Sequence, residues 1–155
     1  MSSKRITALW VLIALGVFWQ GQAMAFPKPF YLFSAIDGVV VLNGQPVVGA
    51  EVERLYKWKD DLNVEHTLTD AQGRYRFSEV TATSLLWSLL PHEPVIFQRL
   101  SIRYQGREHK GWVLTKHNYD RLGEVRNRPL NLICDLNDEP AAHRETETFG
   151  ICRLQ

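Results

Sequence analysis

Histidines are the side chains of this 155-residue chain best suited to acid–base or metal chemistry, but their spacing is typical of neither. No pair has the separation common in zinc sites, and neither His-x-x-x-His nor His-Glu-x-x-His occurs. His92 and Glu93 are adjacent, yet neighbours on a strand point to opposite faces of a sheet. The five are His66, His92, His109, His117 and His143. We expect surface or hydrogen-bonded histidines and no cofactor; a metal site assembled from distant residues is the alternative.

Nucleophilic and carboxylate chemistry also lack a recognisable set of residues. The chain has no Gly-x-Ser-x-Gly elbow and no glycine-rich loop that would cradle a phosphate. Asp60 and Asp61 are a pair of carboxylates, but Lys57 and Lys59 beside them favour a solvated loop. We therefore assign no catalytic residue and expect that the protein is not an enzyme.

Cys134 and Cys152 are the two cysteines of the chain. An even pair in an exported protein is interpreted first as a disulfide, because the compartment is oxidising. Closing a loop of about 17 residues would stabilise the fold by roughly 3 kcal/mol on the chain-entropy model. A metal site or a nucleophile is the alternative, but no histidine stands near with a diagnostic spacing.

Export is predicted by the first 25 residues, which have the three parts of a secretory signal peptide. Lys4 and Arg5 precede an apolar run over residues 6–19, and Ala23-Met24-Ala25 then supplies the small side chains that signal peptidase requires. An uncleaved anchor is the alternative, but a run of about 14 residues is shorter than the roughly 20 that cross a bilayer. We expect a signal-peptide helix over residues 1–25, a mature chain from Phe26, and a periplasmic or secreted location.

The charge of the predicted mature chain is close to neutral. Removal of residues 1–25 takes away Lys4 and Arg5 and no acidic residue, so the formal net charge changes from +1 to −1. Nucleic-acid partners and anionic membrane surfaces normally select a basic excess. We expect no nucleic-acid partner and no membrane span after cleavage.

Two apolar or aromatic segments are candidates for binding. Tyr56 and Trp58 lie among charged residues in segment 56–63, which we interpret as an exposed connection, and such aromatics are enriched at binding surfaces. The alternative is that Trp58 caps one end of the core. Segment 81–90 contains four leucines and Trp87, is closed by Pro91, and is either a short helix or a loop. It is too apolar to be free in water, so we expect core, with a partner surface as the alternative.

The rest of the chain alternates with a period of two and predicts an all-β fold. Turn signals separate the segments: Asn43-Gly44 favours a two-residue hairpin, and Asp70 to Gly73 forms a four-residue turn. We predict a single antiparallel β-sandwich of about seven strands over residues 26–137. Residues 138–155 are interpreted as a polar tail tied back by the disulfide. The predicted strands cover residues 36–42, 47–54 (paired back on the first), 66–69, 74–77, 95–104, 107–114 and 130–136.

Segment 37–52 resembles the first hairpin of carboxypeptidase regulatory-like domains, which belong with the transthyretin-like (prealbumin-like) sandwiches. The sequence Pro-Val-Val-Gly-Ala-Glu-Val is similar to the family pattern Pro-Val-x-Gly-Ala-x-Val. Segment 67–77 resembles its second half, Thr-Asp-x-x-Gly-x-Tyr-x-Phe. We assign Gly49 to a close strand approach or a bulge, and Asp70 and Gly73 to the turn. The resemblance implies an Ig-like or transthyretin-like sandwich and carries over no catalytic residue.

The hypothesis that follows is a non-catalytic exported β-sandwich that binds another protein. One form of it is an immunity protein against a toxin delivered into the periplasm. The alternative is a carbohydrate- or cell-envelope-binding module that uses Tyr56 and Trp58. The sequence gives neither the partner nor the oligomeric state.

Overall fold

The computed structural model describes residues 27–155, so the predicted signal peptide over residues 1–25 lies outside the described part. The described chain is built almost wholly of strands. Its elements are β1 (Phe30–Phe33), β2 (Ile36–Leu42), β3 (Gln45–Pro46), β4 (Glu51–Trp58), β5 (Asp61–Leu68), β6 (Arg74–Phe77), β7 (Val80–Ala82), α1 (Leu85–Leu89), β8 (Ile96–Tyr104), β9 (Arg107–Lys116), β10 (Leu130–Asp135), β11 (Ala141–His143), β12 (Thr148–Gly150) and β13 (Cys152–Leu154).

Two main sheets enclose the core, which confirms the predicted all-β sandwich. One sheet has the order β11-β12-β9-β8-β4-β5; the other has the order β13-β10-β2-β3, with β6 also paired to β2. β1 and β7 form a small third sheet. Alternating apolar residues of both sheets point inward. The fully buried side chains include Phe33, Ile36, Val40, Val52, Ile96, Leu100, Ile102, Trp112, Leu130 and Leu132.

One strand pair departs from the predicted antiparallel arrangement. β10 runs parallel to β2, from Leu130 opposite Ile36 to Asp135 opposite Val41. β10 enters the second sheet after the long connection over residues 117–129, and such a crossover allows a parallel neighbour where a tight hairpin does not. The strand count also exceeds seven, because several short edge strands give weak period-two signals.

The first hairpin is shorter than predicted. Asn43 and Gly44 both have positive φ, 54° and 74°, and β3 pairs with β2 only at Gln45 and Pro46. The chain then crosses over residues 47–50 to the six-stranded sheet, so a strand over 47–54 paired back on the first was wrong. Gly49 lies in this crossing with φ 73° and no atom within 4 Å of an added Cβ. Backbone conformation, not close strand approach, is therefore what Gly49 supplies.

The interpretation of segment 56–63 as an exposed connection was wrong. β4 and β5 pair without interruption from Glu51 opposite Leu68 to Trp58 opposite Asp61, which leaves a two-residue turn at Lys59 and Asp60. The charged residues Lys57 and Asp61 lie on the paired strands, so their polarity did not signal a loop.

The turn at Asp70 has the geometry that its residue types favour. Gly73 has φ 71°, and its N–H donates to the Asp70 carbonyl at 2.9 Å. One Asp70 carboxylate oxygen accepts the N–H groups of Gln72 and Arg74, both at 2.8 Å. A Cβ on Gly73 would also lie 2.6 Å from the Val40 carbonyl oxygen, so this glycine is held by close approach as well.

Residues 138–155 are part of the sandwich and not a polar tail. The disulfide joins Cys134 of β10 to Cys152 of β13, which stand directly opposite each other. β12 pairs with β9 in the other sheet. Ile151, which joins β12 to β13, is 1% exposed. The segment therefore adds strands to both sheets, because it carries buried residues that the polar composition of its first half concealed.

Candidate functional site

An aromatic cluster closes the end of the sandwich where β4 ends and β8 begins. Trp58 of β4 packs against Phe30, with ring centroids 6.0 Å apart, and against Tyr119, 6.2 Å away edge to face. His92 lies against Trp87 of α1 at 4.7 Å and against Tyr119 at 5.5 Å. The cluster joins four parts of the chain that are distant in sequence, so it fixes the connections at this end.

Hydrogen bonds run through the same cluster. The Trp58 indole N–H donates to the Tyr119 hydroxyl oxygen at 2.9 Å, and that hydroxyl lies 3.0 Å from Nε2 of His92. Nδ1 of His92 lies 2.9 Å from the carbonyl of Leu90. A neutral His92 that carries its proton on Nδ1 satisfies every group, because Tyr119 then donates to Nε2. This arrangement ties the end of α1 to the loop after β9.

The ammonium of Lys59 is stacked between two indole rings. Its Nζ lies 3.9 Å from the ring centroid of Trp58 and 4.0 Å from that of Trp87. Such cation–π contacts hold the turn of the β4–β5 hairpin against α1. Lys59 also occupies one face of Trp58, the predicted binding aromatic.

Tyr56, the other predicted binding residue, lies in the core and is 8% exposed. Both Tyr56 and Trp58 point inward from β4, so the structure does not bring them together on a surface. Trp58 packs against one end of the core, in agreement with the alternative that it caps the core. Neither residue presents a free aromatic face of the kind that stacks on a sugar ring.

The exposed apolar surface of this end is supplied by α1. Ser84 caps the helix and its hydroxyl accepts the Trp87 N–H at 3.3 Å. The four leucines that flank Trp87 are 50–73% exposed: Leu85, Leu86, Leu89 and Leu90. The expectation that segment 81–90 is core was wrong for these leucines. Of the apolar residues of α1, Trp87 packs against the core cluster, and it contacts His92 and Lys59.

The loop after β9 is held by a buried charge cluster. Lys116 and Glu124 form an ion pair at 3.3 Å with both side chains fully buried. The Lys116 ammonium also donates to the carbonyls of Tyr31, at 3.0 Å, and Asp120, at 2.8 Å. Each donor of the ammonium therefore has an acceptor, as a buried charge requires.

Glu124 is satisfied from its other side. Its carboxylate accepts the Ser34 N–H at 2.9 Å, the Ser34 hydroxyl at 2.6 Å and the Gln98 amide at 3.0 Å. Burial raises the pKa of Glu124, but Lys116 and these hydrogen bonds outweigh burial, and the pKa lies below its ordinary value. Burial lowers the pKa of Lys116, with Glu124 opposing. We assign the ionised pair, because both groups have charge-matched partners.

A polar cleft of about 400 Å³ lies beside this loop, lined by residues that include His117, Asn118, Arg126 and Glu145. Lys116 and Glu124 also border it, but their side chains have no exposure. The charged pair is therefore sealed from a molecule in the cleft, and its geometry fits a structural role. Within residues 27–155 no group of three His, Cys, Asp or Glu side chains is placed to hold a metal ion.

Sequence reasoning missed Lys59, Tyr119 and Glu124. Tyr119 and Glu124 belong to a polar loop in which nothing in the local pattern marks a buried residue. A signal did exist for Lys116, since it continues the alternation of β9 beyond Leu114.

None of the helices in the described part of the chain is long and apolar enough to cross a membrane.

Comparison with known proteins identifies the family through one match. No curated protein and no solved structure matches the chain. A family model described as a domain of unknown function, DUF6795, matches residues 36–139, from the start of β2 to just beyond β10. This range covers β4, α1 and the charged loop, and therefore most of the cluster described above. The chain belongs to the DUF6795 family.

Proposed function

We propose that this protein is a non-catalytic, exported β-sandwich that binds another protein through the α1 surface, the exposed faces of Leu85, Leu86, Leu89 and Leu90. The observation that supports the proposal is their exposure, 50–73%, on an element whose central residue is anchored. Soluble domains rarely leave a contiguous apolar patch without a binding role. Leu85 and Leu89, like Leu86 and Leu90, are one helical turn apart and form one patch.

The anchoring of α1 favours binding, because an element that is already ordered loses less conformational entropy when a partner binds. Trp87 is held by His92 and by the Lys59 ammonium, and Ser84 caps the helix. A partner would therefore meet leucines that are already in place, and less conformational entropy is lost on association.

A protein partner is favoured over a lipid surface because the segment that carries the patch has no basic residue, and the nearby Lys59 ammonium is stacked between Trp58 and Trp87. Helices that lie on membranes carry Lys and Arg on their polar face, whereas residues 84–94 contain neither. The exposed charge that follows the helix is Glu93, with His117 at 3.7 Å. A glycan partner is disfavoured because Lys59 covers Trp58 and Tyr56 is buried.

The predicted signal peptide and disulfide make the periplasm or the exterior the compartment of this proposal. The carboxypeptidase regulatory-like resemblance remains part of this proposal and rests on the sequence patterns of segments 37–52 and 67–77. An immunity protein for a periplasm-delivered toxin is its most specific form, in which the toxin seats on α1.

The test is affinity capture from envelope extract with wild-type protein and with Leu86→Ser/Leu89→Ser. We expect one or a few proteins retained by wild type in stoichiometric amount and lost from the double variant. Val48→Ser is the matched control, because Val48 is 57% exposed and lies outside α1. Equal retention by all three proteins, or retention of lipid vesicles alone, would contradict the proposal.

A further inference from the structure

The edge strands of the two main sheets differ in how well they are protected against pairing with another strand. β11, β13 and β3 have three, three and two residues, and β3 contains Pro46. β6 has four residues. Short strands and prolines are the usual means by which proteins prevent pairing at a sheet edge. β5, the outermost strand of the six-stranded sheet, has eight residues.

β5 lacks several of the usual protections, although Asp61 and Glu65 place two carboxylates on its inner face. It pairs with β4 over its whole length with no register shift, so no bulge twists its edge away. It contains no proline and no lysine. Leu62, Val64 and Leu68 are 59%, 44% and 64% exposed and share the outer face of the sheet. This long, regular and partly apolar edge is a template for another strand.

Val64 also ends a row of mainly apolar residues, interrupted by Arg99, that crosses the outer face. In the strand register Val64 stands opposite Leu55, Leu55 opposite Arg99, Arg99 opposite Val113, and Val113 opposite Phe149. Leu55 is only 8% exposed although it lies outside the core cluster, and Phe149 is 41% exposed. The row places two apolar side chains, Leu55 and Val64, next to the free edge, with Arg99 between Leu55 and Val113.

We propose that β5 pairs antiparallel with β5 of a second copy of this chain, about a two-fold axis at Val64. In this register Val64 faces its own copy, Leu62 faces His66, Asn63 faces Glu65 and Asp61 faces Thr67. No two like charges are opposed, and the two apolar Leu55–Val64 pairs join through Val64.

Neighbouring registers are less favourable. A two-fold axis at Glu65 places two carboxylates opposite each other, and an axis at Asn63 opposes Asp61 to Glu65. The Val64 register uses seven of the eight residues without such a pair, from Asp61 to Thr67. One strand pair buries a small area for a specific interface, so the dimer should dissociate on dilution.

Analytical ultracentrifugation of protein exported from the full chain tests the association. We expect a monomer–dimer equilibrium in the micromolar range, and a monomer throughout for Val64→Lys, which adds a charge to an exposed edge position without touching the core. A wild-type protein that stays monomeric at every concentration overturns the proposal, as does a Val64→Lys variant that dimerises like wild type.

Cysteine crosslinking tests the register. Val64→Cys should form a disulfide-linked dimer under mild oxidation about tenfold or more faster than Leu68→Cys, because the two-fold holds only residue 64 opposite itself. Cys134 and Cys152 are 0% and 1% exposed and do not compete. Equal rates for the two variants, or a faster reaction of Leu68→Cys, would contradict the Val64 axis.

Discussion

Two connections meet at one end of the sandwich and are opposite in character. The connection from β7 to β8 has an apolar sequence and leaves four leucines in solvent. The connection from β9 to β10 has a polar sequence and contributes Glu124, which is fully buried against Lys116 at the end of β9. Tyr119 joins them through its contacts with Trp58 and His92.

The β9–β10 connection is therefore part of the scaffold, whereas the β7–β8 connection forms part of the surface. The buried charges have partners on every side, so they fix the loop and leave nothing to offer a ligand. The leucines are at least half exposed and do not pack against the core cluster, although the helix that carries them is anchored. The hydrophobicity of a segment therefore does not determine its burial here. Burial depends on how many of its side chains are covered by neighbouring elements.

The largest effect is expected at the buried pair. Glu124→Ala leaves the Lys116 ammonium without its counter-charge and should lower the free energy of unfolding by about 3–5 kcal/mol. Denaturant unfolding measures the loss. Glu145→Ala is the control, since Glu145 is an exposed carboxylate at the same cleft and its removal should cost within about 0.5 kcal/mol. Equal small losses would show that the pair does not support the loop.

Removing both charges should restore part of that loss. Lys116→Met added to Glu124→Ala removes the uncompensated ammonium, so the double variant should be more stable than Glu124→Ala alone. A double-mutant cycle by the same unfolding measurement gives the coupling energy. Strictly additive losses would contradict an ionised, coupled pair.

Acid should weaken the same loop. The pKa of Glu124 is depressed in the folded protein, so its contribution to stability is present above the ordinary carboxyl pKa and is lost as the pH falls through the folded value. Unfolding free energies measured from neutral pH downward should therefore fall less steeply in Glu124→Gln than in wild type. Parallel profiles would remove Glu124 from the acid response.

A smaller effect is expected at the stacked lysine. Lys59→Ala removes the ammonium between Trp58 and Trp87 and should cost about 1 kcal/mol. Because the contact holds α1, limited proteolysis within residues 84–94 should accelerate. Lys57→Ala, at an exposed neighbouring position, should change neither quantity. Unchanged proteolysis in Lys59→Ala would mean that the cation–π contacts do not restrain the helix.

The sequence predicted what local rules determine. Strand alternation indicated the all-β sandwich, and the two cysteines of a chain with a predicted signal peptide indicated the disulfide. The types of Asn43, Gly44, Asp70 and Gly73 marked turns that the structure contains, because those residues tolerate or supply the required backbone conformations.

What failed depends on distant contacts. The parallel pairing of β2 with β10 follows from a crossover whose path local patterns do not encode. The prediction of a connection over 56–63 was wrong because polar residues around a two-residue hairpin turn resemble a loop in composition. The prediction that the leucines of segment 81–90 are core was wrong because apolar composition alone does not show whether neighbouring elements cover a side chain. The sequence therefore pointed to segment 81–90 as a candidate for binding, but it did not predict that the leucines of this segment are exposed.

We propose that the α1 leucines are a binding surface and not part of the stabilising core. The most direct measurement is photo-crosslinking in cells that export the protein, with a photoreactive residue at position 89 and, as control, at position 105 in the β8–β9 turn at the far end of the sheet. We predict one discrete adduct from position 89, lost on Leu85→Ser, with a melting temperature unchanged by either substitution. Absence of an adduct from position 89, or a large fall in melting temperature on Leu85→Ser, would contradict the account.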